Sequence, residues 1–164
     1  MSSTINLDVS YSQLAVFASA LTNPFNDWAD KHVAQGFAWR PGSVSFRTLV
    51  EAGQHCIEIE IADHVGPLDS HAVRVIEVPF EVPDDGAIEV GSISDSLTLS
   101  VPPGIYLLRC EFCGPIGTTD EFVHLVFAKK DFPRFAVVRA DESLSIRPRA
   151  ANNGGASPWM KSRS

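Results

Sequence analysis

The chain has 164 residues, the length of one domain. Its 45% hydrophobic content, with ten Phe, three Trp and two Tyr, is globular and excludes wholesale disorder and fibrous or coiled-coil classes. A net charge of -7, from 20 acidic and 13 basic residues, argues against a dedicated nucleic-acid binder, because phosphate contacts need Lys and Arg.

Read from the N-terminus, the dominant period is two. Ile5, Leu7, Val9 and Tyr11 alternate with polar residues, and the apolar run Leu14–Leu21 reads as a further strand. That run contains Ala18-Ser19-Ala20, a pattern that signal peptidase cuts. The first thirteen residues hold no Lys or Arg, so a signal peptide is not expected and a cytoplasmic protein is.

The helical candidate is Asp27–Gln35. Asp27 can cap it, Asp30 suits its first turn and Gly36 can end it. Two turns need tertiary support, for which Trp28 and Val33 are the expected anchors. The surrounding segment, 23–46, also holds Phe25, Phe37, Trp39 and a turn at Arg40-Pro41-Gly42. It reads either as a plug on one end of a sandwich or as a binding hot spot.

Alternation resumes at Ile57-Ile59-Ile61, Ile76-Val78-Phe80-Val82, Leu97-Leu99-Val101, Tyr106-Leu108-Cys110-Phe112 and Val123-Leu125-Phe127. Turn chemistry separates the runs at Gly66-Pro67, Asp84-Asp85-Gly86 and Pro102-Pro103-Gly104, and the second reads as a hairpin. The expected fold is all-β, an antiparallel β-sandwich with one short N-terminal helix, spanning residues 1–147. Residues 148–164 lack periodicity and read as a mobile basic tail.

Charge is regional. Between Glu51 and Glu121 stand fourteen acidic residues and two basic ones, Arg74 and Arg109. Glu58 and Glu60, and likewise Glu77 and Glu81, fall on one face of their strands. Such carboxylates serve catalysis in glycosidases, solvate a sheet face, or mimic phosphate towards a basic protein groove.

Chemistry-bearing motifs are sparse. There is no G-x-S-x-G elbow and no Gly-rich phosphate loop. No H-x-H occurs among the scattered histidines, and Cys110-x-x-Cys113 has no second pair, so neither a metal nor a cofactor is expected. Cys56, Cys110 and Cys113 read as reduced thiols.

Several stretches resemble the competence protein J family: Tyr11-Ser12-Gln13-Leu14-Ala15-Val16-Phe17, Asp27-Trp28-Ala29-Asp30, Gly36-Phe37-Ala38 and Gly42-Ser43-Val44-Ser45-Phe46. Val78-Pro79-Phe80, and the segment from Leu97-Thr98-Leu99 to Pro103-Gly104-Ile105-Tyr106, are similar too, so the resemblance covers roughly residues 5–128. It implies a small non-enzymatic protein that binds and blocks a DNA-entry nuclease, or, as an immunity protein, a related toxin nuclease. The expected contacts are Glu58, Glu60, Glu77 and Glu81, with a second patch of Asp27, Asp30, Trp39 and Arg40. The competing reading is a sugar- or small-molecule-binding sandwich, lectin or glycosidase, using Trp28, Trp39 and the carboxylates.

Overall fold

Alternating burial organises the chain into two layers. The structure, a computed structural model, describes residues 2–114 and 121–144. The expected basic tail, 148–164, lies outside the described residues. The elements in chain order are β1 (Ser2–Val9), β2 (Gln13–Ala18), α1 (Asp30–Gln35), β3 (Phe37–Arg40), β4 (Ser43–Arg47) and β5 (Gly53–Ala62). They continue as β6 (Ala72–Val82), β7 (Ala87–Gly91), β8 (Ser96–Ser100), β9 (Gly104–Cys113), β10 (Glu121–Lys129) and β11 (Ala136–Arg139).

One sheet runs β1-β5-β10-β9-β6-β11 and the other β3-β4-β2-β7-β8. The inward residues of both sheets form one core, in which Leu14, Phe46, Ile57, Phe80, Tyr106, Phe112 and Phe127 are at most 1% exposed. The six periodic runs from Ile5 to Phe127 lie on strands except at two ends: Val101 is buried just past β8, and Tyr11 sits in the β1–β2 turn and is 71% exposed.

The fold is the expected all-β, largely antiparallel sandwich with one short helix, and three details need correction. First, the pairings are not all antiparallel: β5 and β10 run parallel, with Ile57 opposite Val123. Such a pair needs a long crossover, and here the chain visits both sheets between the two strands. Second, Asp84-Asp85-Gly86 does not make a hairpin, because β6 belongs to the six-stranded sheet and β7 to the five-stranded one. The turn carries the chain across the core instead. Gly86 is needed there: its φ is 67°, and a Cβ would lie 2.7 Å from the Val101 carbonyl oxygen.

Third, the helix begins at Asp30, not Asp27. Ala29 is the N-cap residue, and its N–H donates to His32 Nδ1 at 2.8 Å. Gly36 ends the helix as expected, at φ 88°. The helix turns His32 and Gln35 inward, whereas Val33, one of the two expected anchors, is 43% exposed. Much of segment 23–46 is not a plug, because it supplies the β3–β4 hairpin around Pro41-Gly42.

One core feature leaves no sequence signal. Arg74 is buried between the sheets and grips Asp141 in a two-point pair, Nε–Oδ1 at 2.7 Å and Nη2–Oδ2 at 3.0 Å. Its Nη1 donates to the Arg47 carbonyl at 2.6 Å, which ties β4 to β6. Burial pushes the Asp141 carboxyl up, but the hydrogen bonds and charge of Arg74 outweigh it and hold the carboxyl below its ordinary value.

Candidate functional site

The outer face of the six-stranded sheet carries two of the expected pairs, and the register decides how they sit. One row across the strands is Glu58, His124, Glu111, and the next is Glu60, Val126, Arg109, Glu77. The pairs Glu58/Glu60 and Glu77/Glu81 are therefore separated by β10 and β9 rather than adjacent.

Between them runs a compensated charge network. His124 lies 3.4 Å from Glu60 through Nε2 and 3.3 Å from Glu111 through Nδ1. Arg109 donates from Nε to Glu77 Oε2 at 2.9 Å and approaches Glu111 at 3.5 Å. Chain from the β5–β6 connection covers this centre: the Gly66 carbonyl accepts from Arg109, and the Asp69 N–H donates to Glu111. Glu111 is consequently only 1% exposed. The hydrogen bond to Glu111 raises the His124 pKa; burial opposes it, and the charges of Glu111, Glu58 and Glu60 add to it. Glu77 is thus paired internally, Glu58 and Glu60 are half-buried, and Glu81 is exposed.

Cys110 and Cys113 are an odd number of residues apart on β9, so they point to opposite faces. Cys110 is in the main core, whereas Cys113 packs with Ala72 and Val75 in a smaller cluster on the other side. Burial pushes the Cys113 thiol up to about 12. The two sulfurs cannot close on one ion from this geometry, and both are free thiols.

The second expected patch is split: Trp39 and Asp27 line different cavities, and Arg40 and Asp30 line neither of the two. Trp39 lines a cavity of about 500 Å³ together with Glu81, Pro41, Pro79, Pro83 and Ile105. Its Nε1–H donates to the Pro79 carbonyl at 2.7 Å. Arg40 holds the preceding loop, donating to Asn26 Oδ1 at 3.1 Å and to the Asn23 carbonyl. Asp27 belongs elsewhere, and Asp30, also exposed, opens the helix that follows it. Trp28 and Trp39 line different cavities and so do not form one platform.

Asp27 and Trp28 line a cavity of about 340 Å³ with Tyr11, Ser12, Gln13, Asn26, Val33 and Arg47. The β1–β2 turn shapes its mouth. Tyr11 and Ser12 have φ of 56° and 58°, and the Gln13 N–H donates to the Ser10 carbonyl at 3.2 Å. Two successive positive φ values are the type I′ pattern, which favours Asn-Gly. Neither residue here is Gly or Asn, and each such position costs about 1–3 kcal/mol. The edge of His32 meets the Trp28 ring, with centroids 6.3 Å apart. Trp28 Nε1 and Gln13 Oε1 are both buried and have no hydrogen-bond partner among the described residues.

Tyr11, Gln13, Val33 and Arg47 were not singled out as site residues from the sequence. The nearest signal was the resemblance itself, since Tyr11-Ser12-Gln13 and Asp27-Trp28 are two of the stretches that carry it, and the fold brings them to one cavity.

Comparison with known proteins agrees with that resemblance. The family described as competence protein J matches residues 6–130. The chain belongs to this family. A curated relative, the DNA-entry nuclease inhibitor of Bacillus subtilis (strain 168), is 28% identical over 105 residues, covering 63% of this chain and 76% of that one. The crystal structure of ComJ from Bacillus subtilis, described as an inhibitor of the DNA degrading activity of NucA, has the same fold at TM-score 0.66 and 22% identity. The match covers 78% of this chain and 96% of that chain.

Proposed function

We propose that this chain is a non-enzymatic cytoplasmic inhibitor that binds a DNase, of the DNA-entry type or a related toxin nuclease, and blocks its cleft. The observation that carries the reading is family membership over residues 6–130, with a curated relative named for inhibiting a nuclease. The charge distribution supports it: a groove that binds DNA is basic, and an acidic protein is attracted to it.

Exposure supports some of the expected carboxylates in that role more than others. Glu58, Glu60, Glu81, Asp27 and Asp30 retain exposure, whereas Glu77 is neutralised by Arg109. Glu58 and Glu60 supply long-range attraction, so association slows as salt rises. Trp39 and Arg40 hold loops and sheet together through hydrogen bonds and contribute shape at the margin.

The test is capture from the native lysate at low and high salt, followed by a DNA-cleavage assay on the nuclease that elutes. A DNase released by salt, whose activity falls as the purified chain is added, is the expected result. Neither a bound nuclease nor any change in DNA degradation would refute the proposal. Glu58→Lys with Glu60→Lys should weaken inhibition mainly through slower association, by about tenfold at low salt, with the fold intact. Unchanged association would remove these two residues from the interface without touching the inhibitor reading. Fractionation of the source cells checks the location.

A further inference from the structure

We infer that the open edge of β8, Ser96–Ser100, pairs antiparallel with the same edge of a second copy of this chain, about a two-fold axis at Thr98. This goes beyond the inhibitor reading and does not rest on it.

The first argument is that this edge is unguarded. β8 closes one side of the five-stranded sheet and, among the described residues, pairs with β7 alone. An open edge presents main-chain donors and acceptors to any strand, and folded proteins blunt it with charge, proline or a bulge. The other three edge strands of the two sheets follow that rule. β1 carries Asp8, β3 ends on Arg40, and β11 ends on Arg139 with a register shift beside it. β8 reads Ser96-Leu97-Thr98-Leu99-Ser100, with no charge, no proline and no shift in its ladder to β7. Leu97 is 41% exposed there.

The second argument is the phase of the ladder. Hydrogen bonds bracket it at both ends: the Ser92 N–H donates to the Asp95 carbonyl at 2.7 Å, and the Val101 N–H donates to the Gly86 carbonyl at 2.9 Å. Hydrogen-bonded and non-hydrogen-bonded pairs alternate along an antiparallel ladder. Leu97 and Leu99 therefore turn their N–H and C=O groups towards β7, and Ser96, Thr98 and Ser100 turn theirs to the open edge.

The third argument selects the occupant. Ser-Leu-Thr-Leu-Ser reads the same in both directions, with Thr98 at its centre. A two-fold contact needs a self-complementary edge, and this edge is one. An axis at Thr98 sets Thr98 against the partner's Thr98, Ser96 against the partner's Ser100 and Leu97 against the partner's Leu99. Each pair of outward residues then forms two main-chain hydrogen bonds. The leucines fall on the non-hydrogen-bonded pairs, where side chains approach closest, on the side that Leu99 already turns to the core. Charge does not oppose the register. Glu89, opposite Thr98 on β7, stands three strand spacings from the partner's Glu89, about 14 Å, which exceeds the screening length at physiological salt.

The experiment is sedimentation velocity on the full chain from about 5 to about 500 µM, because a five-residue edge makes a small interface and a weak dimer. The wild type should pass from monomer to dimer over that range. It should do so more readily at high salt, since two copies of net charge -7 repel, whereas salt weakens the nuclease complex proposed above. Thr98→Pro removes an N–H that β7 does not use, and proline is tolerated on that side of an edge strand. Leu97→Lys places a charge on the seam. Each should raise the dimer dissociation constant at least about tenfold, while the dilute protein melts near the wild-type temperature. In amide exchange, Ser96, Thr98 and Ser100 should gain protection as the wild type is concentrated, whereas Leu97 and Leu99, already bonded to β7, should not change. A wild type that stays monomeric throughout, a dimer that both variants leave intact, or outward amides whose exchange ignores concentration would overturn the assignment. Variants that lose inhibition while the wild type alone stays monomeric would assign the edge to the nuclease instead, and the dimer would fall.

Discussion

The outer face of the six-stranded sheet and the sandwich end at the β1–β2 turn both hold charged and polar side chains half out of water, yet they treat them in opposite ways. On the sheet face, Glu60, His124, Glu111, Arg109 and Glu77 compensate one another in a chain of contacts at 2.9–3.5 Å. At the turn, an indole donor and an amide acceptor stay unpaired, and two residues sit at unfavourable φ. Hydrogen bonding does not separate the two regions, because Glu111 Oε2 and His124 Nε2 also lack a hydrogen-bond partner among the described residues. What separates them is that the sheet face sets charge against charge, whereas the turn carries backbone strain.

The largest expected effect contrasts both regions with the buried frame that carries them. Arg74→Met leaves Asp141 without its two-point partner and removes the tie to β4, and should lower unfolding stability by about 3–5 kcal/mol in urea denaturation. A loss under about 1 kcal/mol would show that the pair is not what joins the sheets at this end.

Next comes the turn. Tyr11→Asn with Ser12→Gly installs the residues that a type I′ turn prefers, and should raise stability by about 1 kcal/mol. A loss of stability would mean that no strain is stored there, which would erase the contrast with the sheet face.

The smallest effect sharpens the account of the charge network. The folded-state pKa of His124 is raised above 6.5. Its contribution is therefore fully present below that unfolded value and is lost as pH rises through the folded value. The stability difference between wild type and His124→Gln should be larger at pH 6 than at pH 8.5. A difference that does not vary with pH would show that the His124–Glu111 contact is not charge-assisted. Asp141 carries the opposite sign: its lowered pKa adds stability above its ordinary carboxylate value, and that stability fades as pH falls through the folded value.

Much of the sandwich was legible because period two in Ile57–Ile61, Ile76–Val82 and Tyr106–Phe112 is imposed by one buried face per strand. Strand partners were not legible. Asp84-Asp85-Gly86 reads as a hairpin because turn residues report the local backbone, not which sheet receives the next strand. The helix start was misplaced because Asp27 has the preferred capping side chain, whereas the actual cap at Ala29 works through the His32 ring. Arg74 is invisible in the same way, since its burial depends on Asp141, 67 residues away. The carboxylates were found by alternation, but their neutralisation by Arg109 and His124 follows from pairing register. The cavity at the turn was missed because Tyr11 shares parity with Leu7 and Val9 and reads as a continuation of the strand.

The most direct test is a titration of DNase activity with the wild-type chain and the Glu58→Lys/Glu60→Lys variant side by side. The wild type should suppress DNA cleavage, and the variant should need about tenfold more protein at low salt for the same effect. No suppression by the wild type would contradict the inhibitor reading, and equal inhibition by the two proteins would remove the acidic sheet face from it.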